Sequence, residues 1–349
     1  MPRVDRRRPH LVQGKGFTVL LAGLAAALAV TVAFSVGVGT VDVPVGRVVS
    51  VVRAHLTGDT AGLDPLTDQI VWTFRTPRVL LAAVAGAGLS LAGLCLQTLV
   101  RNPLADPYTF GVTAGASLGA VVVMTTGIAA AIGVAGGAFV GSSVSLFVVF
   151  AMAQRGGRLV GTSLVLAGVA VAYLGMAGTG LMQLLVDPSE LRGVMFWLLG
   201  SVAGASWADL AIPAAATAVT GLWLMSRGRM MNALATGEDT AAGLGVDVNR
   251  LRILLLAAAS LLTATVVSVA GGIGFVGLVV PHAVRLVVGP DHRKVIPVSL
   301  LGGAVFLVLV DLATRTVNKP NEMPIGIFTA ALGAPFFLML LRGRRRALR

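Results

Sequence analysis

From Val79 to Val100 the chain runs without one charged residue. As a helix rising ~1.5 Å per residue the stretch is about 33 Å long, one hydrocarbon core, so it can span a bilayer. Arg75 and Arg78 stand before it and Arg101 after it, and a proline-bracketed turn, RNPLADP at 101–107, leads straight into more glycine-rich apolar sequence. That pattern describes two membrane helices joined by a tight polar hairpin. One end of the pair must then carry arginines against the usual enrichment of Lys and Arg on the cytosolic side.

Composition extends this reading to the whole chain. Of 349 residues, 56% are hydrophobic and 12% charged, against about 25% charged in soluble domains. The apolar segments are too many and too long for a water-facing fold. The sequence predicts an all-α polytopic membrane protein, a single domain over 1–349, with about ten transmembrane helices. Their expected positions are 17–39, 79–100, 108–127, 130–153, 162–185, 208–225, 253–271, 274–290, 296–318 and 324–341. The eighth is short and contains Pro281, which predicts local unwinding or tilt.

An even number of spans puts both termini on one side. With the termini inside, 20 of the 27 Lys and Arg residues fall on the inner face, in the basic tails 1–16 and 342–349 and in the inner loops. That agrees with the charge bias of cytosolic loops. The outer residues are Arg47, Arg53, Arg75, Arg78, Arg192, Arg315 and Lys319. The net charge of +12 is thus a matter of membrane orientation, and a nucleic-acid partner is not expected. The N-terminus also resembles a secretory signal, but its apolar run exceeds a signal core and nine spans follow, so an uncleaved first span is expected.

Several apparent motifs carry no chemistry. Cys95 is the only cysteine and lies within the second span, where a small buried apolar side chain is expected. Gly272, Gly274 and Gly277 match GxGxxG, yet no soluble strand precedes them, so close helix packing is the better reading. The same holds for Gly111 with Gly115, Gly133 with Gly137, and Gly137 with Gly141. His10, His55, His282 and His292 are scattered, no GxxxxGK[ST] occurs, and no bound cofactor or metal is expected.

Three polar features remain. The loop 226–250, SRGRMMNALATGEDTAAGLGVDVNR, is the longest inner connection; it predicts two short helices, 231–236 and 239–244, broken around Gly237, with Leu234 and Leu244 exposed as a docking surface. Segment 271–293 combines glycines with Pro281, an interruption tolerated in membranes where backbone lines a cavity. Asp311 and Arg315, four apart, share a helical face and can pair; ionisable groups at that depth are candidates for function.

These segments resemble the FecCD family of ABC importer permeases, the type II importers of iron siderophores, haem and vitamin B12. The resemblance rests on RTPR at 75–78, GLCLQTLVRNPLADPYTFGVTAGASLGA at 93–120, TSLVLAG at 162–168 and FWLLGS at 196–201. It continues through GEDTAAGLGV at 237–246, GFVGLVVPHAVRLVVGPDHR at 274–293 and DLATRTVNKPNEMPIGIFTAALGAPFFLMLL at 311–341. Only the first span and its outer loop lack such residues.

The resemblance implies a homo- or heterodimer with a second permease subunit, two ATPase subunits beneath it that use ATP and Mg, and an extracytoplasmic binding protein above. The location implied is the bacterial cell membrane. Loop 226–250 becomes the element that couples to the ATPase, with Gly237, Glu238, Ala241, Leu244 and Gly245 at the matching positions. Arg75, Arg78 and Arg315 become docking sites for acidic residues of the binding protein, with lipid-headgroup contact or an internal pair as the other reading. Thr162 and Ser163 align with an inner constriction, though the same hydroxyls suit a helix N-cap. Gln97 faces the pathway or bonds a neighbouring helix, and the glycines of the second span form a packed pathway wall. The substrate implied first is a ferric siderophore, with vitamin B12 as the alternative. A secondary carrier or channel would transport alone, which a docking loop for an ATPase argues against.

Overall fold

The computed structural model describes residues 14–39, 41–60, 62–126, 129–155, 158–159, 161–319 and 321–347. Most of the tail 1–16 lies outside them. Helices dominate: α1 (Lys15–Gly37), α2 (Val45–Thr57), α3 (Pro65–Asp68), α4 (Thr76–Val100), α5 (Val112–Thr126), α6 (Ala129–Ala153), α7 (Gly161–Gln183) and α8 (Leu191–Leu198). They continue with α9 (Trp207–Thr236), α10 (Glu238–Gly243), α11 (Val248–Ala270), α12 (Val276–Val288), α13 (His292–Thr316) and α14 (Ile325–Ala347). A π-helical stretch, Gln69–Arg75, leads into α4, and a two-residue antiparallel ladder pairs Gln154 with Leu159.

Among the described residues seven helices are long and apolar enough to cross a membrane, and three shorter apolar ones, Val112–Thr126, Val276–Val288 and Ile325–Met339, stand at the expected third, eighth and tenth spans. α1 and α7 leave Val19, Val30, Leu166, Tyr173, Leu174 and Leu181 exposed. Such faces suit lipid or a second subunit rather than water.

α4 is the central post. It is apolar on all sides and packs against α9, α11, α12 and α13, with Leu81, Leu91, Leu94, Cys95 and Leu99 buried. A helix without a polar face belongs in a core, so α4 is not the pathway wall that its glycines suggested. Those glycines let backbones touch: a methyl on Gly93 would lie 1.9 Å from the Gly277 carbonyl oxygen of α12.

Two expectations about breaks are corrected. The 231–236 segment is no separate helix, because α9 runs unbroken from Trp207 to Thr236. Packing holds it: Met231 and Leu234 are fully buried, and Asn232 Nδ2 donates to Asp291 Oδ1 at 2.7 Å. Leu234 is therefore core, not docking surface. Likewise α12 continues through Pro281, and the irregular backbone lies before it, where Gly271 and Phe275 both have φ of 66°. Gly133 is a kink with φ 67° and open space beside it rather than a packing glycine, whereas Gly115 and Gly141 do meet between α5 and α6.

Candidate docking and coupling sites

At one end of the bundle the start of α4, the end of α13 and the loop before α14 converge on three arginines. Arg78 Nε donates to Asp311 Oδ1 at 2.9 Å, and Arg78 Nη1 donates to both Glu322 oxygens at 2.9 and 2.8 Å. One turn after Asp311, Arg315 Nη2 lies 3.0 Å from Asp311 Oδ2, the pairing that their spacing predicts. Arg315 Nη1 donates to the Val38 carbonyl at 3.1 Å. Arg75 donates to the carbonyls of Val36 at 3.1 Å, Gly37 at 2.9 Å and Val41, and so fastens the chain after α1 to the head of α4.

All three arginines are buried, and Asp311 completely so. A carboxylate between two guanidinium groups compensates charges that would otherwise be costly out of water. The three arginines and Glu322 also line a cavity of about 330 Å³. The internal pairing and an open cavity therefore coexist at one place.

At the opposite end α9 stops at Gly237, whose φ of 137° a side chain would strain, and α10 starts at once with Glu238 and Asp239 in its first turn. The acidic pair suits the positive helix end. Glu238 is held from two directions, by Arg252 Nη2 at 2.7 Å from α11 and by Arg101 Nη2 at 3.4 Å from the turn after α4. Ala241 is fully buried and seats the short helix; Gly245 closes it at φ 79°. Leu244 is 69% exposed, an apolar side chain presented outward from an anchored base.

A polar chain joins this base to the membrane helices. Asn232 Oδ1 accepts from the His292 backbone N–H at 2.8 Å, and His292 Nε2 lies 2.8 Å from Thr98 Oγ1 of α4. Asp291, at the cap of α13, is held below the usual carboxylate range by its bonds to Arg293 and Asn232.

Gln97 is buried and its carboxamide is spent on α12: Nε2 donates to the Gly277 carbonyl at 2.9 Å, and Oε1 accepts from Arg285. Of its two readings from the sequence, the structure has the bond to a neighbouring helix. Thr162 and Ser163 occupy the first turn of α7, Thr162 exposed and Ser163 half-buried. The irregular stretch before α12 borders a cavity of about 390 Å³, to which Gly272, Gly274, Phe275, Leu198, Ala330 and Asp106 contribute. Burial pushes the Asp106 carboxyl up to about 6, against an accepted bond from the Tyr108 backbone N–H at 2.9 Å.

Sequence reasoning missed Glu322, Asn232, Arg252 and Arg285. Each meets a partner remote in the chain, and no local spacing signals it.

The chain matches the FecCD transport family over residues 27–343. It is 46% identical to the cobalamin import system permease protein BtuC of Halobacterium salinarum over 81% of this chain and 76% of that one. It is 38% identical to the hemin transport system permease protein HmuU of Yersinia pestis, covering 80% and 86% of the two. Among solved structures, an inward-facing metal-chelate type ABC transporter superposes with a TM-score of 0.81 at 31% identity, covering 93% of this chain and 99% of the other. The chain is an all-helical membrane permease of the ABC importer type and belongs to the FecCD transport family.

Proposed function

We propose that this permease forms, with a second permease subunit, the translocation pathway for a ferric siderophore. An extracytoplasmic binding protein delivers the cargo at the arginine end, and a separate ATPase dimer drives the cycle from the end that carries α10, with both termini on that cytosolic side of a bacterial cell membrane. The observation that carries the reading is α10 itself, a short helix anchored through Glu238 to Arg252 and Arg101, with Leu244 presented outward. ATP-driven closure of the ATPase would act on this element, and coupling requires that its contacts differ between the two states. Thr162 and Ser163, at the foot of α7, are the proposed inner constriction. Cobalamin is the second reading, favoured by the 46% identity to a cobalamin permease.

Copurification with the ATPase, followed by ATP-dependent uptake into proteoliposomes with the cognate binding protein, tests the assignment. Ferric siderophore, cobalamin and haemin offered in parallel identify the cargo. Uptake by the permease without ATPase would overturn it in favour of a secondary carrier.

A further inference from the structure

Around the 330 Å³ cavity at the arginine end, three guanidinium groups face two carboxylates. The carboxylates differ in kind. Asp311 is fully buried and bridges Arg78 and Arg315, so it is part of the fold. Glu322 has a side chain 35% exposed and approaches Arg78 from the cavity side, where both of its oxygens are taken by Nη1. Its backbone neighbours are fixed: Asn321 N–H donates to Asn318 O at 2.8 Å and Met323 N–H to Thr314 O at 3.3 Å. Rotation of the side chain alone can therefore release Arg78 without moving the loop. Arg315 also lines the cavity and adds its charge there, with its Nη1 on the Val38 carbonyl and its Nη2 beside Asp311. Lys319 and Asp42 lie 3.9 Å apart and offset each other.

We propose that Glu322 is a resident stand-in for a partner's carboxylate: docking of the binding protein exchanges an acidic side chain of that protein for Glu322 on Arg78. The inference rests on the docking reading above and names its regulation. In the free permease the exchange group keeps a buried guanidinium compensated, which an open arginine pocket could not do. On docking, Glu322 returns to water and the incoming carboxylate takes up Arg78 Nη1, with the charge of Arg315 beside it. Arg75, occupied by three backbone carbonyls, stays in place as part of the scaffold and contributes its charge. The internal carboxylate makes the site selective for a partner that brings a matching acid, since an uncharged surface offers nothing in exchange.

The test measures binding of the purified cognate binding protein to the full-length permease in nanodiscs, comparing wild type, Glu322→Gln and Glu322→Ala. Removing the competitor should tighten docking by roughly 3- to 10-fold and steepen its salt dependence, with the gain in lifetime of the complex. A monodisperse variant with a cooperative melt, lowered by the loss of a counter-charge on Arg78, certifies that the fold is intact, and agreement between the two variants separates loss of charge from loss of shape. Docking that is weaker or unchanged in both variants, while still sensitive to salt and to Arg315→Gln, overturns the exchange and leaves the arginine docking site standing. Docking insensitive to salt and to Arg315→Gln overturns the docking reading itself.

Discussion

Gln97 Nε2 donates to the carbonyl of Gly277, 2.9 Å away on α12. That carbonyl is the one Pro281, four residues later and without an N–H, cannot serve. A side chain of α4 thus completes the backbone of α12 at the point where proline interrupts it. In a bilayer such a group has no water to turn to.

Gln97→Leu should accordingly lower stability by about 1–3 kcal/mol, the cost of an orphaned buried acceptor. Pro281→Ala should recover much of the loss by restoring the helix's own donor. Thermal unfolding of the two single variants and the double variant in detergent reads the coupling; equal losses in the single and double variants would contradict it.

Gly93→Ala places a methyl 1.9 Å from a backbone carbonyl, whereas Gly180→Ala in α7 meets nothing within 4 Å. The first should abolish monodisperse folded protein. The second should be neutral or stabilise by up to about 1 kcal/mol through helix propensity. Size-exclusion profiles and melting midpoints distinguish the two.

Asp311→Asn leaves Arg78 and Arg315 without their common counter-charge, and a loss on the order of 3–5 kcal/mol is expected. The outcome is visible as loss of the folded fraction in detergent. Reversal of Arg78 to Glu would set three carboxylates together, so neutral substitutions such as Arg315→Gln are the better probes of docking.

The carboxyl of Asp106 titrates near 6 in the folded chain against an ordinary value of 3.8. The native state therefore holds a proton that the unfolded state gives up, and stability falls as pH rises from about 4 to about 6 and is flat above. The contribution is on the order of 1–3 kcal/mol. Asp106→Asn keeps the acceptor for Tyr108 and should remove this part of the pH dependence, measured as melting midpoint against pH.

Leu244→Asp should weaken association with the ATPase at least about tenfold, as loss of an apolar anchor does. Melting should be unchanged, because the side chain is exposed. Copurification yield with the ATPase checks it.

The ten apolar segments, the end of α4 at Arg101 and the Asp311–Arg315 pair were legible because each depends on local length or spacing; the tight hairpin expected there is not formed, since residues 101–111 separate α4 from α5 and α5 packs on α6 and α7. The acidic first turn of α10 was legible for the same reason. What escaped were relations between segments far apart in the chain. The proline at 281 was visible and so was Gln97, but nothing in either stretch says that one repairs the other across 180 residues. The extension of α9 was hidden by its polar sequence at 226–232, which reads as loop until Asn232 is seen bonded to Asp291 and the His292 backbone. The inward pairing of Arg78 was hidden as well, because Asp311 and Glu322 lie more than 230 residues from it in the chain.

At its first residue α9 carries Trp207, whose indole Nε1 donates to the Trp72 carbonyl at 3.0 Å, three residues before Arg75. At its far end the same 30-residue helix hands over to α10. With a length of about 45 Å at ~1.5 Å per residue, it is one mechanical part common to both faces of the membrane. If α10 takes up an ATPase and the arginine end a binding protein, as proposed, the two act on opposite ends of a single backbone, and a displacement at one reaches the other through a strut with no chain of side-chain relays between them.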